Sequence, residues 1–344
     1  MFSVGIIGLP NAGKSTLFKA LTNLSVNISP YPFSTIDPNK GIVPIFDERL
    51  EKIAKAVKPL KKTPPAIEFI DVAGLIKGAH KGEGLGNQFL SYLEGVDLLL
   101  LVTRAFENQK VSHPEKSIDP KRDIEIVKEE ILLRDKKVIE KFLSKLKPSL
   151  LIQNEEKRKE KEIGERLLKL IEEGKWLFEE MEKFKEKEKA FKLASSLGLI
   201  SSKPILYLFN IGANKEEFEG LALNLKEEEE ISSLSEEEKR ELGVSSHLDQ
   251  LIKACYNKLD LITFYTIAGG KEVRGWELKR GEKVIEAGGK VHSDFKEKFI
   301  KAEVLSFNDF LKTLSWNEAK KRGLVKVKGK DYIVKDGDII EFKI

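Results

Sequence analysis

The chain has 344 residues, more than one core usually supports, so two or three domains are expected. Charged residues make up 34%, yet 60 basic side chains against 56 acidic leave only +4, which excludes a protein basic over its whole surface. One cysteine, Cys255, excludes an internal disulfide framework, and no apolar run reaches the roughly 18 residues of a membrane-spanning helix. A protein of the reducing cytosol, without a targeting segment, is the expectation.

The first element is an apolar, strand-like run from Phe2 to Ile7. It leads into GLPNAGKS (8–15), a complete GxxxxGK[ST] loop, and then into a helix-like run from Thr16 to Leu21. The two glycines let the chain curl so that successive backbone N–H groups face a phosphate. Lys14 reaches the β and γ oxygens, Ser15 can hold Mg²⁺, and the helix N-terminus adds partial positive charge. Asn11, Ala12, Gly13, Lys14, Ser15 and Thr16 are therefore the candidate phosphate-site residues, with Lys14 also counted as catalytic. Thr35, in PFSTIDPN, is the natural residue of a first switch: its hydroxyl can complete the metal shell.

AIEFIDVAG (66–74) reads as a buried strand ending in Asp71-Val-Ala-Gly74, the DxxG pattern in which the aspartate meets Mg²⁺ and the glycine N–H senses the γ-phosphate. Ser15, Thr35 and Asp71 are thus the candidate metal ligands. Leu75 follows, where small GTPases carry the glutamine that orients water. An aliphatic side chain cannot do this, so hydrolysis must rely on a histidine, an ion, a partner, or slow intrinsic turnover. The histidines are His80, His113, His247 and His292.

VDLLLLVTRAF (96–106) and KPILYLFNIG (203–212) are further strands that are apolar on both faces, which points to a mostly parallel sheet; LALNL (221–225) is a shorter one. The second strand ends in Asn210, Ile211, Gly212, Ala213. The guanine-reading Asn-Lys-x-Asp pattern has lost its carboxylate here, which makes ATP credible. Asn210 and Ile211, with the segment 223–226, are the candidate base-binding residues. Between these strands, residues 121–200 are rich in Lys and Glu. Apolar positions at helical spacing (Ile131, Val138 and Phe142, then Leu167, Leu168, Ile171, Met181, Phe184 and Phe191) predict two long helices turning near Pro148. Ser235, before three glutamates, reads as a helix N-cap.

From about 258 onward, LITFYTIA, VRGWEL, KAEVLSF and DYIVKDGDIIEFKI are β-prone runs separated by GG, RG and DG turns, a second and separate β-rich domain. Its cations Lys271, Arg274, Lys279, Arg280, Lys283 and Lys290, interleaved with Trp276, suit RNA phosphates and bases, though an ordinary solvated surface fits the same pattern.

Taken together, PFSTIDPNKGIVP (32–44), EFIDVAGLIKGAHKGEGLGNQFL (68–90), FEN (106–108) and KDYIVKDGDII (330–340) resemble the YchF-type Obg-like ATPases. The resemblance implies an α/β fold with a Ras-like P-loop domain at 1–120 and 201–257, an inserted helical coiled-coil hairpin at 121–200, and a β-grasp TGS domain at 258–344. It implies a cytoplasmic ATPase that prefers ATP to GTP, requires Mg²⁺ and associates with ribosomes. It also matches Leu75 to a hydrophobic replacement of the catalytic glutamine, His113 to a water-orienting histidine five residues after the FEN motif, and Asn11 to an asparagine that helps hold K⁺. Two departures stand out: Ala213 replaces the family's glutamate after the base-contacting asparagine, and Ser34 stands where many members have cysteine. A GTPase or dual-specificity enzyme, and a nucleotide-stabilised scaffold with negligible turnover, are the alternatives.

Overall fold

The structure is a computed structural model that describes residues 1–26, 39–72, 92–146, 154–212, 218 and 220–344. Thr35, Gly74, Leu75, His80, Pro148 and Ala213, each singled out above, lie outside the described residues. The chain forms two compact units, Met1–Phe2 with Leu21–Glu68 and Leu248–Ile344, and Ser3–Ala20 with Phe69–His247.

The chain runs through β1 (Phe2–Ile7), β2 (Lys40–Pro44), β3 (Lys61–Thr63), β4 (Ala66–Asp71), β5 (Leu98–Ala105), β6 (Ile205–Ile211) and β7 (Leu221–Leu223). All but β3 form one six-stranded sheet in the order β2-β4-β1-β5-β6-β7, and β1–β5, β5–β6 and β6–β7 pair in parallel. Leu98 through Arg104 of β5 are buried on both faces, which accounts for the unbroken leucine run in the sequence. Open α/β sheets bind ligands beyond the carboxyl ends of their strands, and the loop after β1 sits there.

The two expected long helices form at Pro120–Ser144 and Glu155–Glu172, capped by the Asp119 and Asn154 side chains and sharing one core through Ile131, Ile139, Ile163, Leu167 and Ile171. The second is shorter than the apolar spacing suggests. Gly174, at φ 71°, closes it with hydrogen bonds from Gly174 N to Ile171 O and from Lys175 N to Leu170 O, both 2.9 Å. These two bonds make a Schellman stop. Met181, Phe184 and Phe191 therefore lie on the short helix Leu177–Met181, the connector after it, and the helix Lys187–Ser196, yet still join the same core. Asp135, fully buried on the first long helix, accepts bonds from Ile200 N (3.1 Å), Ser201 N (2.7 Å), Ser201 Oγ (2.7 Å) and Arg134 Nη1 (2.8 Å), which ties the helix to the turn before β6. The N-cap at Ser235 is a full capping box with Glu238.

The second sheet contains β8 (Leu261–Ala268), β9 (Glu272–Lys279), β10 (Lys301–Ser306), β11 (Lys326–Lys328) and β12 (Asp338–Lys343), and its order is β11-β10-β12-β8-β9-β3. Gly269 and Gly270, at φ 54° and 74°, make the β8–β9 turn. DYIV is not a strand; Ile333 makes only an isolated bridge to Lys283. The sequence suggests that the C-terminal run supplies this sheet alone, but β3 adds its edge in parallel with β9. Likewise Leu50 and Ile53 of the helix Glu48–Val57 pack with Tyr265, Val273, Leu305 and Phe310. A polar clasp fixes that helix: Asp47 accepts from Arg49 Nη2 (2.9 Å) and Tyr265 Oη (2.5 Å), and Arg49 Nη1 donates to Asp336 (2.7 Å).

Candidate nucleotide-binding site

The loop between β1 and the helix Lys14–Val26 needs glycine at two points. Gly8 has φ 149°, and a Cβ there would lie 2.3 Å from the Val102 carbonyl oxygen. Gly13 has φ 107°, and its Cβ would lie 2.3 Å from Asn210 Nδ2. Both distances are far inside van der Waals separation, and both backbones are conformations that L side chains rarely adopt. Asn11 between them is left-handed at φ 64°, and its amide donates to Ser112 O at 3.1 Å.

Lys14 Nζ donates to Gly8 O (3.1 Å) and Leu9 O (2.9 Å) of its own loop. Burial pushes this ammonium down to about 8, against the opposing pull of Asp71. Ser15 Oγ donates to Asp71 Oδ2 at 3.0 Å, and burial raises the Asp71 carboxyl, with the Ser15 bond and Lys14 working against it. Asp71 Oδ1 is buried without a hydrogen-bond partner among the described residues. An orphaned carboxylate oxygen beside a serine hydroxyl is a donor set that suits a hard cation such as Mg²⁺.

A cleft of about 590 Å³ opens beside this loop. Asn11, Gly13, Lys14, Ser15, Thr16, Asn210 and Ile211 line it, together with Gly212, Phe106, Glu107, Asn108, Val111, Asn224, Lys226 and Glu229. Its size suits a nucleotide. Ala12, within the loop, is buried and is not part of the cleft lining. Asn210, the expected base reader, is occupied by the protein: Nδ2 donates to Ala12 O (2.9 Å) and Oδ1 accepts from Leu225 N (3.2 Å). It pins the phosphate loop to the helix Leu225–Ser232.

His113 does not line the cleft. Its side chain is 6% exposed; Nδ1 accepts from Glu115 N (3.1 Å) and Nε2 is 2.8 Å from Asp123 Oδ2. With Nδ1 accepting, the proton sits on Nε2 and is donated to the carboxylate. Arg122 Nη2 donates to the other Asp123 oxygen at 2.8 Å.

Sequence reasoning passed over Arg104. This buried guanidinium, 3% exposed at the end of β5, donates to the carbonyls of Phe106 (3.1 Å), Asn108 (3.1 Å), Val111 (3.0 Å) and Ser112 (3.3 Å), and lies 4.7 Å over the Phe106 ring. It shapes the cleft wall. The available signal was an arginine closing an otherwise apolar strand. Glu229, which lines the cleft and lies 3.7 Å from Lys19, carried no signal in an acidic helix.

A sheet in which β1, β5, β6 and β7 run parallel, with a glycine-rich loop wrapped at the end of β1, a lysine and serine at the following helix N-terminus and a carboxylate at the end of β4, defines a P-loop nucleotide-binding protein. Comparison with known proteins narrows the class. A family model described as a 50S ribosome-binding GTPase matches residues 3–155, and the YchF-type GTPase C-terminal model, described as a protein of unknown function, matches residues 261–344. The chain is similar to the ribosome-binding ATPase YchF of Bacillus subtilis, at 40% identity over 99% of this chain and 98% of that protein. It is also similar to the Obg-like ATPase 1 of Rattus norvegicus, at 38% identity over 99% of this chain and 91% of that protein. The solved structure of the Schizosaccharomyces pombe YchF GTPase matches with a TM-score of 0.84 at 31% identity, covering 99% of this chain and 97% of that one. The chain belongs to the YchF/Obg-like ATPase family.

Proposed function

We propose that the protein is a ribosome-binding ATPase of the cytoplasm, a switch that binds ATP in preference to GTP and hydrolyses it slowly unless a partner assists. The observation that carries this reading is the cleft itself. Lys14 and Ser15 stand at its phosphate end; at its base end Asn210 is engaged with Ala12 O and Leu225 N, and the sequence has Ala213 where the guanine-reading pattern has its carboxylate. Adenine would be held by the Phe106–Asn108 wall and by Ile211, Asn224 and Lys226.

Ser15 and Asp71, joined by Thr35, would hold Mg²⁺, which when bound neutralises charge developing on the phosphate oxygens. The Asn11 carbonyl oxygen, outside the bond its amide makes to Ser112, would help hold K⁺. Lys14 binds the terminal phosphates, Gly74 senses the γ-phosphate through its N–H, and Leu75 leaves water unpositioned at the usual glutamine place. His113 then orients water. Its ring is held by Asp123 and by Glu115 N–H, so it reaches the nucleotide only when the 106–118 loop releases it.

The wider architecture belongs to the same proposal: a Ras-like domain at 1–120 and 201–257, a coiled-coil hairpin at 121–200, and a β-grasp TGS domain at 258–344 to which β3 and the helix Glu48–Val57 are added. Co-sedimentation with ribosomal subunits in the presence of ADP or a non-hydrolysable ATP analogue tests the reading. Binding that differs between the two nucleotides is the expected result; equal binding in both, and without nucleotide, would favour a scaffold.

A further inference from the structure

We propose that the β11 edge of the second sheet is a docking surface for the sugar–phosphate backbone of RNA. Ala319 to Lys330 carries six basic residues and no acidic one, whereas the whole chain carries only +4, so the remainder is net negative at −2. The concentration is local. The helix Trp316–Lys321 brings Lys320 and Lys321 to the edge, Arg322 follows, and the three-residue strand β11 with its turn adds Lys326, Lys328 and Lys330.

Register shows how the cations surround the edge. Lys328 and Lys326 pair across to Ala302 and Val304, members of the core on one face of the sheet, while Val327 pairs to Glu303. Ala319, on the helix that carries Lys320 and Lys321, packs in the core of the opposite face. Positive charge therefore rims both faces, with Val327 62% exposed between. Lys326 and Lys328 stand about 7 Å apart along the strand, close to the separation of successive phosphates on a polynucleotide.

The decisive feature is what these side chains do not do. Lys320 and Arg322 pair with Glu303 and Glu318, but Lys321, Lys326, Lys328 and Lys330 form no ion pair among the described residues; Lys328 lies over the Tyr332 ring and Lys326 donates to a backbone carbonyl. The opposite end of the sheet behaves otherwise. There Arg280 pairs with Asp260, Lys279 donates to Leu259 O, and Arg274 lies on Trp276, 3.8 Å from the ring centroid; Asp331, the acidic residue next to Lys330, is paired with Lys283. Blunting a strand edge against aggregation takes a single lysine. Four unpaired cations with no exposed aromatic ring among them suit phosphate binding without base readout, hence binding that is indifferent to sequence and steep in salt.

The inference deepens the ribosome-binding reading and rests on it for biological meaning, but its test is separate. Full-length protein is titrated with a short RNA duplex of mixed sequence over a range of salt, and is sedimented with purified ribosomes. In the variant with Lys321, Lys326, Lys328 and Lys330 all replaced by alanine, duplex affinity should fall at least tenfold at low salt. The slope of log affinity against log salt should flatten by about 3, since each phosphate that a lysine neutralises adds roughly 0.7–0.9 to it. A matched variant losing Lys52, Lys58, Lys253 and Lys258, four exposed lysines of the same unit, controls for net charge and should keep the wild-type slope. Nucleotide affinity and thermal midpoint should be unchanged in both. Equal losses in the two variants, or an unaltered slope in the first, would overturn the proposal while leaving ribosome binding untouched. Lost ribosome binding with intact duplex binding would overturn it in favour of an acidic protein partner. If the wild type fails to sediment with ribosomes but the first variant loses duplex binding as described, the ribosome reading falls and the RNA surface stands.

Discussion

Arg104→Met removes the guanidinium fork while keeping most of the apolar stem. Arg104 donates to four carbonyls of the 106–112 segment, and those carbonyls hold Phe106, Asn108 and Val111 at the cleft. A charged hydrogen bond contributes about 1.5–3 kcal/mol, but four cannot be summed, because water can reach the surface carbonyls once the fork is gone and neighbouring bonds are not additive. One to two net bonds, about 2–4 kcal/mol of loop ordering, is the reasonable magnitude. If about 2 kcal/mol of it must be restored on binding, the dissociation constant for ADP rises about 30-fold. Calorimetric titration with ADP measures this directly, and amide exchange across 106–112 should accelerate in the same variant. Arg104→Lys, which keeps charge but not the fork, should fall between the two. A variant that binds ADP within twofold of wild type would refute the view that Arg104 builds the base-side wall.

Two further predictions concern stability. Asp135→Ala leaves Ile200 N, Ser201 N and Ser201 Oγ without their buried acceptor, so unfolding free energy in urea should drop by about 3–5 kcal/mol; a loss under about 1 kcal/mol would mean water satisfies that turn. Asp47 is pulled both ways: burial pushes its carboxyl up, while the Arg49 and Tyr265 bonds and the Arg49 charge outweigh burial and leave it below the usual range. A depressed folded value means the stabilisation is present above the unfolded value near 4 and lost as pH falls through the folded one. Asp47→Asn should therefore cost about 2 kcal/mol at neutral pH and progressively less in acid; a pH-independent difference between the two proteins would contradict the clasp.

The strands and the phosphate loop were legible because their signals are local. Unbroken apolar runs mark β5 and β6, and GLPNAGKS needs no tertiary information. Gly174 was present to read as a helix stop, but the apolar spacing through Phe191 outweighed it, since periodicity reports which residues are buried and not whether one helix carries them. β3 and the helix Glu48–Val57 were illegible as parts of the second sheet because their partners lie some two hundred residues away, and a three-residue edge strand, Lys-Lys-Thr, has no apolar pattern. Asn210 was singled out by its place at the end of a strand and His113 by the family resemblance, but neither signal gives the hydrogen bonds that occupy the Asn210 amide or the carboxylate that holds the His113 ring. Arg104 was hidden by the rule that arginines are exposed; it is buried because backbone carbonyls, invisible in sequence, saturate it.

This cleft is expected to take ATP in preference to GTP although Ala213 replaces the family's glutamate. Calorimetry on nucleotide-free protein, with Mg²⁺ and K⁺ present, should give a non-hydrolysable ATP analogue at least a tenfold advantage over its GTP counterpart, about 1.4 kcal/mol. Equal affinities, or tighter binding of the GTP analogue, would contradict the account and make the protein a nucleoside triphosphatase of relaxed or guanine-directed choice.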